Sequence, residues 1–138
     1  LSTVCGIEIK GSQAIVVTLQ GTKSNYELIN TKVKKIELED PKAQRAVQTF
    51  QQAITSYFKE HAISTVGIKE RATKGDFSGG PISFKIEGII QTLDLPSSLV
   101  HATTLSATVR RHEVDVESVN INKYQRDAFK VAFHLLED

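Results

Sequence analysis

Between Thr3 and Lys10 apolar residues fall at every second position, with Cys5, Ile7 and Ile9 on one side and Val4, Gly6, Glu8 and Lys10 between them. Side chains alternate across a pleat, so this spacing predicts a strand with one apolar face and one mixed face. Gly11-Ser12 supplies a turn, and residues 14–19, AIVVTL, form a β-rich run. A second turn signal at 21–25 precedes Tyr26-Glu27-Leu28-Ile29 and a further apolar stretch at 33–38. Strands in succession joined by short turns predict an antiparallel meander.

The period then changes. Asp40-Pro41 carries the signals of a helix start, because an N-cap oxygen accepts from a free N–H and proline is tolerated at the first helical position. Val47, Phe50, Ile54, Tyr57 and Phe58 follow at helical spacing, which predicts a helix to about His61. Residues 64–70 return to strand character, with Val66, Ile68 and Glu70 on one face. The stretch 71–80 is a Gly-rich loop, and Pro81 opens a second helix carrying Ile82, Ile86, Ile89, Ile90 and Leu93. Leu95-Pro96-Ser97-Ser98 ends that helix, and a strand is predicted around 100–106. After a polar stretch, a last helix at about 123–137 places Ala128, Val131, Ala132 and Leu135 on one face. The order β-β-β-α-β-α-β-α predicts a single α/β domain over 1–138. Right-handed strand–helix–strand crossovers would extend the meander into a mixed five-stranded sheet flanked by helices.

Composition narrows the class. A chain of 138 residues is near the usual size of one domain, and 40% apolar with 24% charged residues is an ordinary globular balance rather than a disordered one. No apolar run reaches the roughly 18 residues of a spanning helix, so no membrane association is expected. The opening LSTVCGIEIKG reads as a strand rather than a signal peptide. Cys5, the one cysteine, has no intrachain partner and sits in an apolar strand, which fits a buried thiol and a reducing, cytoplasmic setting. A net charge of +1 gives no global field for nucleic acid, but cations cluster locally. Lys69, Arg71 and Lys74 form one group, and Arg110, Arg111 and His112 another; each has the plain alternative of a solvated face.

Three segments carry a family resemblance. VCGIEIKG at 4–11 resembles the first strand of Holliday-junction resolvases of the RuvC type, which runs hydrophobic-Gly-Ile-Asp before a turn. VGIKE at 66–70 resembles their fourth strand, which ends in Glu, and RDAFKVAFHLL at 126–136 resembles their last helix. The element order also resembles that of the ribonuclease-H-like superfamily, so the resemblance implies that superfamily's three-layer fold. Residues 69–91 and the terminal helix further look like an uncharacterised bacterial family of similar length.

The resemblance implies a site at Glu8, Glu70 and Asp127, where the superfamily's carboxylates hold divalent metal, magnesium or manganese. Independently of it, Glu8 and Glu70 are unusual in apolar strands, where an unpaired charge is costly. Both would lie toward the carboxyl ends of parallel strands, where sites in such sheets commonly form. In a two-metal mechanism, ions about 3.5–4 Å apart would act on a phosphodiester. The departures are specific: Glu8 stands where the family has Asp, and Tyr124 stands where it has a second helix Asp. Three carboxylates remain rather than four, with Asp76 as a further candidate in the loop. The plain alternative for Glu8 is a strand-end residue paired with Lys10 or Lys69, and for Asp127 a first-turn acid favoured by the helix dipole.

The loop ERATKGDFSGGP at 70–81 adds candidate nucleic-acid contacts. Lys74 and the glycines would meet a phosphate, and Phe77 would stack on a base. Its alternative is a plain connection, and it lacks the Gly-Lys-Ser/Thr ending of a P-loop. His112 is a candidate proton shuttle or a surface histidine; His61, His101 and His134 have no metal-ligand spacing. Together these readings imply a metal-dependent nuclease or resolvase-like protein acting on structured DNA or RNA, through Lys69, Arg71, Lys74, Phe77, Arg110 and Arg111. Two alternatives stand beside it: a non-catalytic nucleic-acid or protein-binding module of the same fold, and an interaction protein whose second helix, with Phe84, forms a homodimer surface.

Overall fold

The computed structural model describes residues 2–72 and 80–138. Lys74, Asp76, Phe77 and the glycines at 75 and 79, all candidates from the sequence, lie outside the described residues.

Strands β1 (Thr3–Lys10), β2 (Gln13–Thr22) and β3 (Asn25–Ile29) form the expected meander. A short fourth strand, β4 (Lys35–Glu37), pairs antiparallel with β2 beyond the end of β3. Helix α1 (Gln44–Glu60) leads to β5 (Thr65–Lys69), and α2 (Pro81–Gln91) leads to β6 (Ser97–Val100). β5 runs parallel to both β1 and β6, giving the order β3-β2-β1-β5-β6 with β4 beside β2. The sheet therefore has six strands rather than the expected five. Helix α3 (Ala102–Arg111) and helix α4 (Arg126–Leu135) complete the domain, with single 3-10 turns at Val116–Ser118 and Lys123–Gln125 between them.

Two sequence expectations change for local reasons. The strand expected at 100–106 stops at Val100, and α3 begins at Ala102. The His101 ring accepts from the Thr103 N–H at 3.1 Å and caps the helix. Leu105 and Thr108, three residues apart, then face the interior together. Likewise, Asp40 does not cap α1. Its carboxylate accepts from the Lys42 N–H at 3.0 Å, closing a turn that separates it from the helix starting at Gln44.

The sheet is covered on both faces. Cys5, Ile7, Ile9, Val66 and Ile68 meet Phe50, Ile54, Tyr57 and Phe58 of α1 and Ile86 and Ile90 of α2. On the opposite face Val4, Ile15, Val17 and Leu19 meet Ala128, Phe129, Ala132 and Phe133 of α4. The alternation seen in β1 thus assigns its two faces to two different cores. Ile82 and Ile89 of α2, the helix offered as a dimer surface, are partly buried against the first core. Among the described residues no helix is long and apolar enough to cross a membrane.

Candidate functional site

Pleat and register decide which charged residues meet. β1 pairs with β5 through Ile7 and Ile68, so the next residues along, Glu8 and Lys69, lie side by side. Gly67, two before Lys69, faces Val131 and Leu135 of α4, and Gly6, two before Glu8, faces Ala128 and Ala132. Glu8 and Lys69 therefore project on the α4 side of the sheet, near its carboxyl edge. Asp127 sits in the first turn of α4, which lies directly over the two glycines. Sequence-distant carboxylates are brought together in this way.

The Lys69 ammonium joins them. Its Nζ donates to Asp127 Oδ2 at 2.8 Å and lies 3.8 Å from Glu8 Oε2. Lys130, one turn along α4, places Nζ 3.4 Å from Asp127 Oδ1. The side chains are largely shielded, that of Glu8 being only 14% exposed and that of Lys69 25%. Shielding weakens screening, so these contacts count for more than surface ion pairs do.

The two acids respond oppositely to this setting. Burial raises the Glu8 carboxyl above its ordinary value, the charge of Asp127 raises it further, and Lys69 and Lys10 offset only part of this. Burial also works against the Asp127 carboxylate, but the hydrogen bond and charge of Lys69, followed by Lys130, outweigh it and hold Asp127 below the usual range.

Glu70 goes elsewhere. One residue past Lys69, it is exposed, and its N–H donates to the Val100 carbonyl at 2.9 Å. Its charge acts on Glu87 of α2, whose carboxyl is raised by burial and then by Glu70, with Arg71 opposing. A single step along a strand exchanges faces, and Lys69, not Glu70, stands beside Glu8 on the α4 side.

Arg110 and Arg111 occupy the last turn of α3. Arg111 acts on His134, which burial and then Lys23 and Arg111 hold below the ordinary histidine value. His134 is seven residues from Asp127 along α4, about 10 Å at the helical rise. The second basic group thus lies toward the opposite end of α4 from the carboxylates. His112 is beside Phe133 and 3.9 Å from Asp138, also at that end. Tyr124 is partly exposed, with the Lys35 ammonium 4.7 Å from its ring centre.

The fold family implies a divalent metal at this edge, and the arrangement argues against one. Among the described residues no group of three His, Cys, Asp or Glu side chains is placed to hold an ion. Two carboxylates do converge, but an ammonium with no lone pair lies against both. Magnesium requires oxygen ligands at about 2.0–2.1 Å in near-octahedral geometry, which a cation at that place opposes by charge and by volume. The sequence offers Lys69 as a partner of Glu8 but gives no sign that it also reaches Asp127. Lys130, three residues after Asp127 on a helix, is a contact that helical spacing alone makes legible, although it belongs to none of the motifs.

Comparison with known proteins agrees with the architecture. No curated protein matches the chain. A solved structure, "T. thermophilus RuvC in complex with Holliday junction substrate", is similar over 97% of this chain and 92% of that one, with a TM-score of 0.66 and 11% identity. "Thermus thermophilus RuvC structure" is similar over 96% and 92%, with a TM-score of 0.66 and 12% identity. At such identities the likeness establishes the fold, which is ribonuclease-H-like, with a mixed sheet between helical layers. A family model described as "Protein of unknown function (DUF3010)" matches residues 2–135, and the chain belongs to that family.

Proposed function

We propose that this protein binds structured nucleic acid, and that it does so as a recognition module rather than as a metal-dependent nuclease. The observation that carries the choice is Lys69, held against both Glu8 and Asp127 while Glu70, one residue on, is exposed and outside that contact. Two neutralised carboxylates at the sheet edge no longer form an acidic wall against phosphates. Lys10 and Lys130 lie beside them, with Arg110 and Arg111 toward the other end of α4. Nucleic acid laid along that side would meet cations at both ends, and phosphate contacts supply much of the affinity of such complexes. Lys74 and Phe77, outside the described residues, are proposed contacts from the sequence alone. A four-way junction is the first ligand to try, since a RuvC of the same fold is seen with one.

The competing reading is a divalent-metal nuclease using Glu8, Glu70 and Asp127 with magnesium or manganese. The convergence of Glu8 with Asp127 favours it, but it requires Lys69 to leave and Glu70 to change faces. Fluorescence anisotropy with labelled four-way junction, duplex and single strand, in EDTA and then in magnesium or manganese, separates the two. The binding reading expects junction binding in EDTA and intact DNA after incubation with metal. Cleavage that disappears in Asp127→Asn or Glu70→Gln would establish the nuclease instead, and absence of binding to every substrate would remove both.

A further inference from the structure

The ion pairs at the sheet edge have a consequence for what the domain can bind. We infer that Lys69 is a built-in cation that occupies the charge-balancing role at the Glu8–Asp127 pair and thereby keeps divalent metal out, so that removing its charge uncovers a latent metal seat.

Four features support this. Lys69 is tethered on β5, the strand beside Glu8, so its ammonium is delivered by the sheet register itself. It contacts both acids at once, at 2.8 and 3.8 Å. The pair is enclosed, with Glu8 14% and Asp127 33% exposed, so mutual repulsion of the two carboxylates would be weakly screened without a cation between them. Finally, Lys130 binds the other oxygen of Asp127, leaving that carboxylate with partners on both oxygens. A divalent ion entering here would have to displace one ammonium and approach a second. With Lys69 neutral, the same two carboxylates would face each other with Lys130 and Lys10 as the nearest opposing charges, and a hard cation binding through their oxygens would relieve the repulsion. The inference deepens the recognition reading, because it explains how a resolvase-like edge could work without metal. It can nonetheless be tested without nucleic acid.

Manganese is the probe, followed by titration calorimetry and by electron paramagnetic resonance of free ion, with sodium chloride matching ionic strength. Wild-type protein is expected to take up no stoichiometric manganese at the Glu8–Asp127 pair, and its melting temperature is expected to be unchanged by the ion. Lys69→Gln, which keeps a polar end, and Lys69→Met, which keeps the length, are both expected to bind one manganese about tenfold or more tighter than wild type. Their melting temperatures should rise with manganese, and Glu8→Gln added to either should abolish the gain. Stoichiometric uptake by wild type that is lost in Glu8→Gln would overturn the inference, whatever the variants do. Folded Lys69 variants with no gain in manganese affinity would also overturn it, since the seat would then not exist. Neither result bears on junction binding by the wild-type protein in EDTA, so failure here and failure of the recognition reading are distinguishable.

Discussion

Gly6 lies directly beneath the backbone of Ala128: a Cβ built on Gly6 would stand 2.1 Å from the Ala128 carbonyl oxygen and 2.3 Å from the Ala132 N. Those are main-chain atoms, which cannot rotate away, so α4 could accommodate a methyl group only by lifting off the sheet. Gly6→Ala should therefore lower stability by about 3 kcal/mol or more in urea denaturation, at or beyond the upper end of ordinary overpacking costs. Gly67→Ala is the milder control. Its nearest neighbours are side-chain methyls, Val131 Cγ1 at 2.7 Å and Leu135 Cδ1 at 3.0 Å, which can partly give way, so about 1–2 kcal/mol is expected. Equal losses in the two variants would contradict this seating of α4.

That seating shows why some of the molecule is readable from sequence and some is not. Alternation in β1 correctly separates Cys5, Ile7 and Ile9 from Val4, Gly6 and Glu8, because the two sets lie on opposite faces of the sheet, each under its own helical layer. Pro81 marks a true helix start. At 100–106 local pattern fails, since Thr103 and Thr104 suit strands but His101 caps a helix whose interior face starts at Leu105. β4, at three residues, is too short to announce itself by periodicity. The site is legible in part for a related reason. Glu8 stands out as an acid in an apolar strand and Asp127 comes from the family resemblance, whereas the position of Lys69 depends on the Ile7–Ile68 register, which a single strand's alternation does not contain.

Because Glu8 and Asp127 are shifted in opposite directions, replacing each should change stability with opposite pH dependence. Below about 4.5 Glu8 is protonated in both folded and unfolded chains. As pH rises from there, the unfolded chain ionises first, so wild type loses stability relative to Glu8→Gln until the raised folded value is passed. Glu8→Gln should thus gain on wild type as pH rises from about 4.5. Asp127 behaves conversely: its folded value lies below 3.8, so its carboxylate contributes stability at neutral pH that is lost as pH falls through that depressed value. Asp127→Asn should be less stable than wild type at pH 7, with the deficit closing in acid. Thermal melts of the three proteins from pH 3 to pH 8 check both signs.

Cys5 is fully buried, and burial pushes its thiol up to about 12, only partly opposed by Thr18 and Val17. The folded protein should not react with iodoacetamide at pH 8.5, and modification should appear only along the urea unfolding transition. The sign of its linkage follows. The unfolded thiol ionises near 9.0 and the folded one near 12, so stability should fall as pH rises through that interval. Rapid labelling of folded protein would mean that β1 opens locally, contrary to its place at the centre of the sheet.

For nucleic acid the two groups of arginines can be weighed separately. Arg71, beside Glu70 and Glu87, follows β5, whereas Arg110 and Arg111 end α3 near His134. If a junction reaches both groups, Arg71→Ala and the double variant Arg110→Ala/Arg111→Ala should each weaken binding while leaving the fold intact. Each phosphate deprived of its arginine should reduce the slope of log affinity against log salt by about 0.9 on duplex. The double variant should therefore lower the slope by up to twice as much as the single one. Combining all three should add, since Arg71 acts on Glu87 of α2 whereas Arg111 acts on His134 of α4. Lys69→Met is the informative contrast: its ammonium is directed at Asp127 and Glu8 rather than at solvent, so it is not expected to hold a phosphate itself. Its affinity for the junction should nevertheless fall in EDTA, because two uncompensated carboxylates then face the phosphates, and added manganese should restore it. A salt slope unchanged in every arginine variant would place the nucleic-acid surface elsewhere on the molecule.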